Sequence, residues 1–137
     1  MRPEGHSEAV EWLRFALEDL EGARVTNSAR RTAPRLACYH AQQAVEKALK
    51  AALVVEGIAP PRHHNLEALR ALLPALWGPG VVGGDLSALT LWAVQARYPS
   101  DFPAPTASEA RAAVRQATTC VNAIVGDLAL RGVVLPE

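Results

Sequence analysis

The chain has 137 residues, half of them hydrophobic and 20% charged, with 14 basic and 14 acidic side chains. This length is typical of one domain, and the hydrophobic content excludes wholesale disorder. The balanced charge excludes the simplest kind of nucleic-acid binding, which depends on a large basic excess.

Two long helices are predicted in the first half of the chain, where alanine is abundant and alternating strand-type runs are missing. The first is capped by Ser7 and breaks at Thr26–Ser28. The second runs from Pro34, which suits a first turn, to Glu56, with Gly57 as its C-cap. Their apolar positions, at helical spacing, are Leu13, Ala16, Leu17, Leu20 and Ala23, then Leu36, Ala41, Ala44, Val45, Ala48, Leu49, Ala52 and Leu53. The wide stripe of the second helix predicts contact with several partners. It is wider than one small bundle is expected to cover.

Three further helices are predicted in the second half. One begins near Asn65 and ends or kinks at Pro74, the next begins after Asp85 and ends before Pro99, and the last opens with a capping box at Thr106–Glu109. Their inward-facing positions are Leu66, Leu69, Leu72, Leu73 and Leu76, then Leu86, Leu89, Trp92, Ala93 and Ala96, then Ala110, Ala113, Val114, Ala117, Val121, Ile124 and Leu128. The predicted fold class is therefore all-α, an up-down helical bundle of four to five helices.

The sequence carries no signal for export or membrane insertion. Its first residues lead into a charged helix without an apolar h-region, and no run approaches the ~18–20 uncharged apolar residues of a membrane span. Two cysteines are too few for a disulfide scaffold. We expect a cytoplasmic protein that does not associate with membranes.

Polar residues are densest on the second helix, between His40 and Lys50. Gln43, Lys47 and Lys50 are spaced i, i+4, i+7 and project from one face, while Gln42, Glu46 and Lys50 form an adjacent row. The order Glu46 then Lys50 favours an ion pair within the helix. This face is either a binding surface or an ordinary solvated face with paired charges.

Two further segments carry candidate binding residues. His64 stands at the mouth of the third helix, where it either helps to bind an anion or, like Asn65, simply caps the helix. Arg97, Tyr98 and Asp101 form an elbow after the fourth helix, which is either a ligand contact or only a helix stop.

Motifs for catalysis and for metal binding are not found in the sequence. It contains no G-x-S-x-G elbow, no P-loop and no paired cysteine motif. Cys38 and Cys120 lie in Ala-rich helical stretches and are predicted to be small core residues. Next to His63 and His64, no further ligands stand at a zinc spacing. We expect no catalytic residue, no bound metal and no cofactor.

Three runs of residues, taken together and in this order, form a pattern that is specific to one protein family. They are Tyr39–Ala51, then Arg62-x-His64-Asn65-Leu66, then Ala96-Arg97-Tyr98-Pro99-x-Asp101, and an opening helix with Trp12 and Ala16-x-x-Asp19-Leu20 accompanies them. This combination resembles the prokaryotic HEPN domain family over roughly residues 7–130. The resemblance implies one HEPN-like helical bundle domain over residues 1–137, with its core at about 7–130.

The resemblance also implies partners. HEPN domains often form homodimers, and they are often encoded beside small nucleotidyltransferases, in toxin–antitoxin-like pairs, or fused to them. The Arg-Tyr-Pro elbow is similar to the branch that accompanies nucleotidyltransferases, in which polar groups face a nucleotide or the partner's substrate.

Many HEPN proteins are metal-independent ribonucleases with an R-x(4–6)-H motif late in the bundle, and this sequence departs from that pattern. No histidine follows Arg97. Arg35 and His40 match the motif literally, but they lie in the second helix and about 140° apart in projection. The resemblance therefore favours a non-catalytic module. A degenerate ribonuclease and a ligand-free dimerising scaffold are the alternatives.

The resemblance and the residue spacing together define a candidate nucleotide or RNA site. Lys47, Lys50 and Arg97 would hold phosphate, Tyr98 would stack on or hydrogen-bond a base, and His64 would orient the ligand. Lys50 and His64 are expected to lie near each other, because the third helix begins beside the end of the second. The candidate ligand-binding residues are Gln43, Lys47, Lys50, His64, Arg97, Tyr98 and Asp101.

Overall fold

A computed structural model of the protein describes residues 3–28, 34–78, 84–95 and 103–135. Within these ranges all regular secondary structure is helical. The five helices are α1 (Pro3–Ser28), α2 (Pro34–Val55), α3 (Leu66–Ala71), α4 (Ser87–Gln95) and α5 (Ala107–Leu130). The prediction of an all-α helical bundle is confirmed.

Helix α2 is the centre of the bundle, because it packs against α1, α3, α4 and α5. Its apolar positions are buried as predicted, except that Leu36 is 42% exposed. Alanine at many of these positions lets neighbouring helices approach closely. The stripe is thus covered within one chain, so it supplies no argument for a second copy of the protein.

Helix ends follow local signals, with one difference in α1. This helix begins at Pro3, so Ser7 lies inside it and is not its cap. Proline suits a first turn because the amide hydrogen it lacks would have no helical partner there. At the end of α2, Gly57 takes a positive φ of 77°, the conformation of a glycine C-cap.

Helix α3 is shorter than the leucine spacing predicts. The side chain of Asn65 caps it by accepting a hydrogen bond from the Ala68 amide, and it ends at Ala71, before Pro74. Beyond that end the helical register no longer applies. Leu72 and Leu76 are therefore exposed, Leu76 by 88%, and their predicted inward orientation is wrong.

The last two helices begin as predicted. The Asp85 carboxylate accepts a hydrogen bond from the Ser87 amide at the start of α4, and Thr106 and Glu109 form the reciprocal capping box of α5. The predicted end of α4 before Pro99 lies outside the described residues. Within the described part of these helices, the predicted core positions that are buried are Leu86, Leu89, Trp92, Ala110, Ala113, Val114, Ala117, Val121, Ile124 and Leu128.

Both cysteines lie in the core. Burial raises the pKa of the Cys38 and Cys120 thiols to about 11, so both are protonated near neutral pH. Their interpretation as small core residues is confirmed. None of the helices in the described ranges is long and apolar enough to cross a membrane.

Candidate functional site

A buried carboxylate on α2 joins side chains from two parts of the chain. Oε1 of Glu46 accepts hydrogen bonds from Nε2 of Gln42 at 3.0 Å and from Nδ1 of His64 at 2.8 Å. Its Oε2 accepts from Nζ of Lys50 at 3.2 Å. Gln43 joins them by donating from Nε2 to Oε1 of Gln42 at 2.7 Å. We call these five residues the Glu46 cluster.

The helix and one connection build this cluster. Gln42, Glu46 and Lys50 recur at every fourth position of α2, so their side chains meet along one row. His64 stands just before the cap of α3, and the connection from α2 returns it to Glu46. The structure thus brings Lys50 and His64 to one carboxylate, as the order of the helices suggested.

The cluster is enclosed, which contradicts the interpretation of this row as a solvated face. Gln42, Gln43, Glu46 and Lys50 are all buried, and Glu46 is only 3% exposed. Nζ of Lys50 also lies 5.4 Å from the centre of the Trp12 ring of α1, within the range of a cation–π contact. His64 is the one member of the cluster that is substantially exposed to solvent, with 43% of its side chain exposed.

Opposing effects act on the pKa of Glu46. Burial raises the pKa, because it penalises the charged form. The hydrogen bonds from Gln42 and His64 and the positive charge of Lys50 outweigh that effect and hold the pKa of Glu46 below its ordinary value. Glu46 is therefore a carboxylate at neutral pH, and it can accept but not donate hydrogen bonds.

Lys47 belongs to a second polar group, between α1 and α2. Its Nζ donates to Oδ2 of Asp19, while Nδ1 of His40 lies 3.1 Å from Oδ1. Nζ of Lys47 lies 6.0 Å from the centre of the half-exposed Phe15 ring. We call Asp19, His40 and Lys47 the Asp19 cluster. Helical spacing within α2 gave no sign of Asp19 as a partner, because that residue comes from another helix.

Each lysine of the chain is therefore paired with a carboxylate, Lys47 with Asp19 and Lys50 with Glu46. A phosphate group would have to compete with these carboxylates for the two ammonium groups. His40 and His64 contact the same two carboxylates through Nδ1 and keep part of their rings exposed.

The remaining candidates are three residues of the elbow, an arginine of α2 and a histidine before α3. Arg97, Tyr98 and Asp101 lie outside the described residues. Arg35 is exposed, and His63 accepts a hydrogen bond from the Asn65 amide. Among the residues that the structure describes, no three His, Cys, Asp or Glu side chains are grouped so that they could hold a metal ion.

Comparison with protein families adds a decisive observation. The model of the HEPN domain family matches residues 9–128, which is most of the chain. The chain belongs to the HEPN domain family. In this HEPN domain both clusters lie inside the matched region, from Asp19 on α1 to His64 before α3.

Two solved structures resemble this HEPN domain. The crystal structure of TT1696 from Thermus thermophilus has a TM-score of 0.75 and 28% identity, and the match covers 88% of this chain and 98% of that one. The crystal structure of ST0689, an archaeal HEPN homologue, has a TM-score of 0.63 and 26% identity, with 87% and 96% covered. Comparison with curated proteins gave no match.

Proposed function

We propose that this HEPN domain is a non-catalytic module that works with a small nucleotidyltransferase and presents the Glu46 cluster to a nucleotide. The observation that carries the proposal is the buried polar row on α2, which reaches the surface at His64. Both belong to the segments that resemble the HEPN domain family, and the Arg-Tyr-Pro elbow is the segment that is similar to its nucleotidyltransferase-associated branch.

The burial of this row supports a binding role because it is a poor way to stabilise a helical bundle. Removing Glu46 and Lys50 from water has a large desolvation cost, and apolar residues of similar size often stabilise a core as well or better. Side chains that are polar, buried and held in place are the kind of groups that orient a ligand at the edge of a pocket.

The structure favours different roles for the candidate residues. Gln43 and His64 stand at the ends of the Glu46 cluster and are suited to contact the nucleoside. Lys47 and Lys50 are neutralised by carboxylates, which makes them weaker phosphate ligands than an unpaired cation. Arg97 is the predicted phosphate ligand, with Tyr98 and Asp101 beside it in the sequence.

The protein partners follow from the family. HEPN domains are often encoded beside nucleotidyltransferases in toxin–antitoxin-like pairs and often dimerise, and we propose the same associations here. Because the stripe of α2 is covered within the chain, a dimer would use another surface. The alternative is a ligand-free dimerising scaffold, in which the Glu46 cluster binds nothing.

One contact favours a metal-independent ribonuclease as the second candidate. The Asp19 carboxylate lies against Nδ1 of His40, which is the arrangement that orients a histidine base. RNA cleavage that survives EDTA and is lost in His40→Ala would support this candidate. We expect no such cleavage, because Arg35 points about 140° away from His40 around the helix.

Calorimetric titration with ATP, GTP and a short RNA tests the leading proposal. We expect saturable binding of a nucleotide that weakens in Arg97→Ala, with the exposed Arg62→Ala as the matched control. If none of the three ligands binds, the nucleotide-binding proposal is wrong and the scaffold is the better account.

A further inference from the structure

Helices α1 and α5 lie side by side and run in opposite directions. They contact each other, and His6 near the start of α1 lies beside Gly132, which follows the end of α5. A Cβ added at Gly132 would be 3.9 Å from Cε1 of His6. The exposed residues of the two helices therefore form one surface, which we call the α1–α5 face.

The two helices of this face carry opposite charges. From residue 6 onward, the exposed charged residues of α1 are four glutamates and two arginines, namely Glu8, Glu11, Glu18, Glu21, Arg14 and Arg24. On α5, Arg111 and Arg115 are exposed, and the one exposed carboxylate, Glu109, is engaged in the capping box. Among the described residues, neither these two arginines nor Glu18 and Glu21 have an ion-pair partner.

Helical geometry places these unpaired charges on the α1–α5 face. On α1, Asp19 marks the side next to α2, because it pairs with a lysine of that helix. Glu21 projects about 160° away from Asp19 around the helix. On α5, Asp127 marks the side next to the connection after α3, because it accepts a hydrogen bond from a backbone amide there. Arg111 projects about 160° away from Asp127, so it too is turned away from its neighbours in the bundle.

A second copy of the chain can pair both sets of charges at once. In a twofold dimer, residue i of one copy contacts residue j of the other, and j contacts i. A twofold axis that runs parallel to α1 and α5 and between them places α1 of each copy on α5 of the other. The same contact between acidic and basic residues then forms twice. A twofold axis perpendicular to the helices would instead place α1 on α1 and bring like charges together, which is unfavourable.

The surface of α5 also suits close contact with a helix. Thr119 and Gly126 are exposed along it, and a Cβ added at Gly126 would meet nothing within 4 Å. Small side chains let helix axes approach each other closely. On α1, Val25 is 57% exposed and offers apolar surface, whose burial favours association. The face thus combines complementary charges with room for a second helix.

We propose that the α1–α5 face is the homodimer interface, with Glu18 and Glu21 of each copy opposite Arg111 and Arg115 of the other. This inference rests on the proposed self-association and specifies the surface through which it occurs. The apolar stripe of α2 does not compete with this face, because it is covered within one chain.

Two charge-reversal variants test the inference. The acidic variant combines Arg111→Glu with Arg115→Glu, and the basic variant combines Glu18→Arg with Glu21→Arg. Each variant alone brings like charges together at both contacts, so we expect the dimer Kd to rise at least about tenfold. Light scattering should then approach the chain mass of 14.6 kDa. An equimolar mixture restores opposite charges at both contacts, and native mass spectrometry should detect a heterodimer.

The matched control combines Arg35→Glu with Arg62→Glu. Both arginines are exposed and lie outside α1 and α5, so we expect this variant to stay dimeric. Circular dichroism verifies that every variant is folded. Dimers formed by the acidic and basic variants alone, or a mixture that stays monomeric, would overturn the inference and leave the proposed homodimer standing. A monomeric unaltered protein would overturn both.

Discussion

The carboxylate of Glu46 keeps its charge inside a helical bundle because donors from Gln42, Lys50 and His64 surround it. Each donor replaces part of the hydration that burial removes. Lys50 balances the negative charge of Glu46. Its ammonium group is paired with Oε2 of Glu46 and lies beside the Trp12 ring. Removal of one member therefore leaves the others without compensation.

Glu46→Gln should lower the free energy of unfolding by about 3 kcal/mol, because Lys50 would remain buried without its counter-charge. Urea unfolding at neutral pH measures the change. Glu11→Gln is the matched control, since Glu11 is exposed and lies 4.0 Å from Arg14, and we expect it to change stability by less than about 0.5 kcal/mol. Equal effects of the two substitutions would show that the Glu46 cluster does not contribute as described.

Acid should also destabilise the protein through Glu46. Its pKa is lower in the folded protein than the ordinary value of 4.5, so the unfolded chain binds the proton first as the pH falls. The stabilisation is complete above pH 4.5 and is lost as the pH falls through the pKa of the folded state. We expect the unfolding free energy of the unaltered protein to fall more steeply below about pH 5 than that of Glu46→Gln. Parallel pH profiles would contradict this.

Spacing in the sequence predicted the pair of Glu46 and Lys50 but not their burial. Helical periodicity gives the angle at which a side chain projects from the axis of its helix. It does not say whether another segment covers that side chain. Here His64 covers Glu46 from the connection after α2, and Trp12 of α1 lies over Lys50. The Asp19 cluster was missed for the same reason, because Asp19 and Lys47 are on different helices.

At the scale of helices, α1 and α2 pack against each other, and both bury small residues. Ala16, Ala41, Ala44 and Ala48 are fully buried, and the small alanine side chain lets helix axes approach closely. Interiors of this density have no room for added methylene groups.

Ala44→Leu should therefore destabilise the protein by about 1–3 kcal/mol through overpacking. Thermal or urea unfolding detects the change. Ala112→Leu, on the exposed side of α5, is the matched control, and we expect an effect within about 0.5 kcal/mol. A tolerated Ala44→Leu would mean that this part of the bundle is less tightly packed than described.

Helix boundaries were predictable where a strong local signal exists. Gly57 after α2 and the Thr106–Glu109 capping box of α5 are such signals, and both are present in the structure. The start of α1 and the length of α3 were not predicted correctly. Ser7 is a possible cap that the helix does not use, and the leucine spacing continues past Ala71 although the helix does not.

At the scale of the whole molecule, self-association is a prediction from the family. Light scattering should give twice the chain mass of 14.6 kDa. Leu36→Ser should leave this mass unchanged, because the rest of the α2 stripe is buried within one chain and a dimer would use another surface. A monomeric mass for the unaltered protein would contradict the prediction of a homodimer.

The fold class followed from composition and periodicity, because a bundle needs only apolar stripes of the right spacing and ends that stop the helices. The surroundings of the candidate site depend on contacts between α1, α2 and the segment before α3. The packing of the bundle sets those contacts, and the residue pattern of a single helix carries no information about that packing. The described structure gives the candidate residues of α2 two different surroundings, the Glu46 cluster and the Asp19 cluster.

We propose that the surface around His64 binds a nucleotide. Calorimetric titration of ATP into the unaltered protein, His64→Ala and His63→Ala tests this proposal. We expect saturable binding that weakens at least about tenfold in His64→Ala, which corresponds to one lost hydrogen bond, and is unchanged in His63→Ala. Equal binding by all three proteins, or no binding by any of them, would contradict it.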